Sequence, residues 1–229
     1  MNYAQPLSIA FVKGTAPGKW FERFNERTDY PDLITLESDD AMQALLDGRA
    51  TAALIRLPED RLSAEFHKVD LYQEQPGITV PKDSELTLLE KISRRDIAEE
   101  IVNYEPVDVV SIQAVREAVQ VVAANVGVVI APRPLLRSIN SKQTEHREFS
   151  DGKPTQIALV WRKSDDGDMI QDFVGITKGR KASSSRQAAA VKEPAKKPAK
   201  KPAKKPKKAA GKTLKKQPLG KRKVRKGRR

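Results

Sequence analysis

Residues 41–55 read AMQALLDGRATAALI, and the fold is decided here. Met42, Leu45 and Leu46 recur at the spacing of a helical stripe, and Gly48 suits the left-handed stop that ends a helix. Thr51-Ala52-Ala53-Leu54-Ile55 then follows as a short apolar run of the kind a buried strand shows. Helix, glycine and buried strand form the second half of a crossover unit, so a strand should precede them. Residues 33–36 supply one, and Ser38 can cap the helix, with Asp39 and Asp40 suiting its positive N-terminal end.

Further upstream, residues 7–12 (LSIAFV) alternate and then turn continuously apolar, as a buried strand does. Residues 13–18 (KGTAPG) are turn chemistry, Trp20, Phe21 and Phe24 fall on one helical face, and Pro31 is expected to stop that helix. Strand, helix, strand, helix, strand predicts a parallel sheet with right-handed crossovers. A second set follows. Residues 69–80 are strand-like but broken by Pro76-Gly77, and residues 86–98 carry helical periodicity. Ile112, Val115, Val119 and Val122 predict a helix, Asn125-Val126-Gly127 its close, and residues 128–130 a returning strand. Residues 155–161 are the last strand, and Met169, Ile170, Phe173 and Val174 the apolar face of a last helix. The expectation is two α/β lobes joined by crossovers near 69–80 and 156–161.

Charge divides the chain differently. Of its 43 Lys and Arg residues, 23 lie from Lys178 to Arg229 against one acid, Glu193, which leaves 20 basic and 29 acidic residues before them. The net +13 is thus about −9 followed by about +22. The sequence has no cysteine, so disulfide and thiol chemistry are excluded. It opens without a basic and apolar leader and holds no 18-residue apolar span, from which a cytoplasmic protein without membrane contact is expected.

Several stretches carry a resemblance. Residues 7–12, 41–55, 71–81 (LYQEQPGITVP), 126–132 (VGVVIAP) and 157–163 (IALVWRK) come in the order and spacing of the effector-binding domain of LysR-type transcriptional regulators. That domain resembles type 2 periplasmic binding proteins, in which two Rossmann-like lobes close on a small ligand. The resemblance covers most of 7–176 and implies an effector-binding-like domain over 1–177. Lobe I would take about 1–70 and 156–177, and lobe II about 71–155. It also implies a homodimer. Three departures stand out: Thr51 replaces the family's usual aspartate, Ser84-Glu85 replaces a common His-Pro pair, and the family's N-terminal winged helix-turn-helix is expected to be absent, since the resemblance begins near Met1. Sequence-specific operator reading is therefore not carried over.

In open α/β lobes ligands sit beyond the carboxyl ends of strands, near helix N-termini. With the resemblance, this makes Thr15, Ser38, Val126 and Gly127 the candidate effector-binding residues, the Val126-Gly127 turn facing the cleft. Thr15 and Ser38 serve equally as plain helix caps, and Gly127 as plain turn geometry. Asp39 and Asp40 would repel an anionic effector. No catalytic constellation is legible, so the chain is not expected to be an enzyme. His67 and His146, the only two histidines, lack companions at metal-ligand spacing and are expected to be solvated. Asp165-Asp166-Gly167-Asp168 lacks the later ligands of a calcium loop and reads as the acidic start of a helix. Neither a metal nor a cofactor is expected.

Residues 178–229 form the basic C-terminal tail. Its Pro-Ala-Lys-Lys unit repeats from Pro194, and proline in every unit favours an extended, disordered chain that buries no core. The candidate DNA-binding residues are Lys196, Lys197, Lys200, Lys201, Lys204, Lys205, Lys207 and Lys208, then Lys221, Arg222, Lys223, Arg225, Arg228 and Arg229. Lysine pairs on a proline spacer match a phosphate backbone, and the arginines suit a minor groove. The tail resembles the lysine-, alanine- and proline-rich tails of linker histones in charge. It has no aromatic residue, so duplex backbone contact is expected over base stacking. The expected function is that of a regulator-like or nucleoid-associated DNA-binding protein. The alternative is a cytosolic small-molecule-binding module whose tail serves solubility or docks to an acidic partner or another polyanion.

Overall fold

The computed structural model describes residues 5–179. The tail residues singled out above, Lys196 to Arg229, lie outside the described residues. Two five-stranded sheets carry the fold. The first is built from β1 (Ser8–Val12), β2 (Ile34–Ser38), β3 (Ala52–Leu57), β4 (Phe66–Glu74) and β10 (Thr155–Arg162), in the order β2-β1-β3-β10-β4. The second is built from β5 (Pro76–Pro81), β6 (Lys91–Ile92), β7 (Val102–Tyr104), β8 (Val128–Pro132) and β9 (Thr144–Phe149), in the order β6-β9-β5-β8-β7. The chain leaves the first sheet between Glu74 and Pro76 and returns after Phe149.

The β-α-β reading of residues 7–55 holds. β1 pairs in parallel with β2 and with β3, joined through α1 (Gly18–Arg27) and α2 (Ala41–Leu46). Gly48 takes φ 71°, as a left-handed stop requires. β3 is buried almost throughout because strands cover it on both edges and helices on both faces. On one face, Phe21 and Phe24 of α1 meet Phe173 of α5 (Asp168–Thr177) at ring distances of 6.0 and 5.9 Å. On the other face lies α2. In the second sheet α3 (Ile112–Ala123) buries the four apolar positions read from its periodicity, and α4 (Arg133–Ile139) packs beside it.

Three local expectations are corrected. α1 ends at Arg27, not at Pro31, because Thr28 turns extended while its N–H still bonds the Phe24 carbonyl. Residues 86–98 form no helix. Leu88 faces solvent, Ile92 is drawn into a parallel pairing with Phe149, and Asp96 captures the N–H and hydroxyl of Ser93, leaving two 3-10 turns around β6. α2 is capped by Asp40, whose carboxylate accepts from Gln43 N–H at 2.9 Å, while Ser38 accepts from Asp40 N–H. Thr51 hydrogen-bonds the Ser8 hydroxyl at 2.9 Å and ties the start of β3 to β1.

One core crosses between the lobes. Val12, Met42 and Ile55 of lobe I belong to the same buried cluster as Ile112, Ala131, Leu135 and Leu136 of lobe II. A Cβ on Gly14, in the turn after β1, would stand 2.7 Å from the Leu135 Cα, so the turn rests on the α4 backbone. No helix among the described residues is long and apolar enough to cross a membrane.

Candidate ligand site

The last residue but one of β3 is a charged residue that the apolar run does not announce. Arg56 and Glu74 are buried, with side chains 5% and 0% exposed, and the guanidinium meets the carboxylate through Nε at 2.6 Å and Nη2 at 3.2 Å. The same Nη2 donates to the Lys13 carbonyl at 2.7 Å. Arg56 thereby pins the turn that a ligand would meet at the carboxyl end of β1. Beside it, burial and the Glu74 charge push the Tyr72 hydroxyl up to about 12. The charges visible in TAALIR and LYQEQ signal such a pair, but their meeting across 18 positions is not legible in the sequence.

Two cavities open along the seam between the sheets, on either side of Leu57 and Pro58. The first, of about 380 Å3, lies between Asp39 to Met42 of lobe I and Val109 to Gln113 of lobe II. Arg61 organises its polar edge, donating to Asp40 at 2.8 and 2.9 Å and to Glu59 at 2.7 Å. These bonds hold both carboxyls below the usual range and raise Arg61 further. Asp39 pairs with Arg116 of α3 at 2.8 Å, a link from one lobe to the other. The expected repulsion of anions by Asp39 and Asp40 is therefore largely matched by two arginines. At the same cavity Ser111 caps α3, accepting from Ala114 N–H, and donates its own N–H to Tyr104.

The second cavity, of about 520 Å3, is lined by both crossovers, at Pro76 and at Gly152 to Thr155. A Cβ on Gly152 would stand 2.4 Å from the Pro76 Cβ, so the two crossovers lie side by side. Arg94, paired with Glu105 at 2.5 and 2.8 Å, forms its charged rim, and Val107 and Ile130 its apolar lining. Together the cavities offer apolar walls and matched polar groups, which suit a small polar molecule held between lobes.

The sequence-derived candidates are not brought together. Thr15 is buried, and its hydroxyl donates to the Val12 carbonyl at 2.7 Å; Pro17, not Thr15, stands at the N-cap of α1. Ser38 precedes Asp39, which lines the smaller cavity, and spends its hydroxyl on the Asp40 N–H. Val126 and Gly127 do not face the seam. They precede β8, whose other end, Pro132, pairs with Pro76 at the crossover. Gly127 has φ 61°, and a Cβ there would fall 2.1 Å from the Ile101 carbonyl, so its place is set by turn geometry. Arg61 and Ser111, which line the smaller cavity, and Arg116, which pairs with Asp39 at its edge, are not singled out by any local pattern in the sequence.

The two-lobe α/β fold is that of LysR-type effector-binding domains. The effector-binding domain of a BenM variant superposes with a TM-score of 0.60 at 15% identity, over 84% of this chain and 100% of that one. A full-length BenM mutant matches at 0.60 and 15%, over 86% and 72% of the two chains, and an H2O2-bound mutant of Corynebacterium glutamicum OxyR at 0.54 and 16%, over 84% and 74%. Full-length CbnR in complex with its target DNA matches at 0.58 and 13%, over 77% and 70%. No family model matches the chain, and no curated protein is similar to it in sequence.

Proposed function

We propose that this protein is a regulator-like or nucleoid-associated DNA-binding protein of the cytoplasm. Its two-lobed domain takes a small-molecule effector in the seam between lobes, and its C-terminal tail holds duplex DNA without reading it. The observation that carries the proposal is the joining, in one chain, of the effector-binding fold to a segment of about +22 charge. The domain's own net charge is about −9, so it offers a phosphate backbone little attraction. A homodimer would present two tails, and linking them raises avidity through effective concentration. The matched charges of the seam suit binding, and the chain is proposed as a non-enzyme.

Retardation of duplex DNA by the full chain and by a truncation ending at Thr177 tests this. The full chain should retard DNA of any sequence, and the truncation should not. Equal retardation by both would overturn the role given to the tail. The second reading, a small-molecule-binding module whose tail serves solubility or an acidic partner, is favoured by the seam cavities alone. Its signature is a ligand-dependent thermal shift with no DNA retardation by the full chain.

A further inference from the structure

On lobe II, where α4 meets β9 and β6, a groove of about 780 Å3 is lined by Lys91, Arg133, His146, Arg147 and Glu148 among others. It is separate from the seam cavities. His146 was expected to be solvated, and it is instead half-buried in an unusual state. Its Nε2 accepts from Arg137 Nε at 3.2 Å, so the ring proton of the neutral imidazole sits on Nδ1. That Nδ1 is closed off from solvent and has no hydrogen-bond partner, and neither has the buried Nε of Arg133 or the hydroxyl of Thr79, the residue that His146 faces across the strands.

Strand register puts the two donors on one side of the sheet. His146 pairs with Thr79 and Glu148 with Gly77, so residues 146 and 148 share a face, and Gly77 is the glycine over which Arg133 lies, 2.9 Å from where a Cβ would stand. The charges around them are unevenly matched. Glu148 is taken by Lys91 at 2.6 Å and reaches Arg133 only at 3.8 Å, Arg147 pairs with Glu145 at 2.8 Å, and among the described residues no carboxylate pairs with Arg137. Burial first, then Arg137, Arg133 and Arg147, hold the His146 imidazole below its usual titration range, Glu145 opposing weakly. The local field is positive.

Buried N–H donors without acceptors are costly, and two of them under a positive field call for an acceptor that carries negative charge. We infer that this groove on lobe II is a binding site for a small oxyanion, phosphoryl or carboxylate, held by Arg133 and His146, with Arg137 fixing the imidazole tautomer and orientation through Nε2. Arg133, with its side chain 32% exposed, borders the open side of the groove.

The test uses the full chain and its two histidines as paired reporters. Imidazole nitrogen resonances are followed while inorganic phosphate, and in a parallel arm acetate, replaces chloride at constant ionic strength. His67 does not line the groove, so its signal is the control for anion effects elsewhere in the chain. A saturable shift of His146 Nδ1 and a rise of the His146 titration midpoint by about one pH unit are expected, with His67 unmoved. Phosphate alone producing them assigns a phosphoryl ligand, and acetate also producing them assigns a carboxylate. Arg137→Gln and Arg133→Gln should each weaken the saturation at least tenfold while leaving the His67 signal and the Tm in place. No saturable shift with either anion, equal movement of both histidines, or undiminished saturation in both variants would overturn the site.

Discussion

Arg56 and Glu74 concentrate the residue-scale account, because burying a charge costs several kcal/mol unless its partner stays in place. Glu74→Ala should destabilise the full chain by about 3–5 kcal/mol in urea unfolding. A loss under about 1 kcal/mol would show that solvent reaches Arg56. The glycines give a second contrast. Gly127→Ala meets the Ile101 carbonyl at 2.1 Å as well as the strain of φ 61°, whereas Gly48→Ala, at φ 71°, meets nothing within 4 Å. The first substitution should therefore lower the Tm far more than the second, whose cost is about 1 kcal/mol. Arg61 sets a pH dependence. Its bonds depress the Asp40 and Glu59 pKa values in the folded state, so their contribution is present above the unfolded values of about 4 and is lost as pH falls through the folded ones. Arg61→Gln should flatten the acid limb of Tm against pH below about 5, and an unchanged limb would remove this cause. At this scale the sequence shows charges embedded in strand-like runs and a glycine after a helix. Which charge meets which depends on strand order, which no local pattern carries.

Among elements, those with strong periodicity were legible and those held by tertiary pairing were not. β1, α2, β3 and α3 announce themselves in apolar spacing, since each buries a face or is covered on both. β9 reads TEHREF and buries only Thr144 and Phe149, so its strand character comes from the neighbours β5 and β6. α4 has seven residues with Pro134 in its first turn, too short for a stripe, yet Leu135 and Leu136 are fully buried in the core shared by both lobes. Leu135→Ala should cost about 2–5 kcal/mol by leaving a cavity where lobe II rests on the Gly14 turn. The candidate site suffered from the same limit. Rules about helix N-termini located Ser38 beside the seam but could not show that Asp40 would be the cap, or that the Val126-Gly127 turn lies at the far end of β8 from the crossover.

For the molecule as a whole, two consequences follow from a shared core and a divided charge. Since the Met42 and Leu136 sides belong to one buried cluster, the lobes should unfold together. A single transition, coincident by fluorescence of the two tryptophans and by circular dichroism, is expected. The charge partition was fully legible in the placement of charged residues along the chain, and the two-lobed fold in the order of a few apolar stretches. The grouping of polar residues at the seam was not, because they come from segments far apart in the chain. Neutralising phosphates releases counterions, so the logarithm of affinity should fall linearly with the logarithm of salt, by about 0.9 per phosphate engaged on duplex DNA. The decisive measurement is the affinity of the full chain for two duplexes of unrelated sequence across a salt series, beside the truncation ending at Thr177. The account predicts equal affinities and equal steep slopes for the two duplexes, and loss of binding in the truncation. A shallow slope, or a truncation that binds as the full chain does, would contradict it.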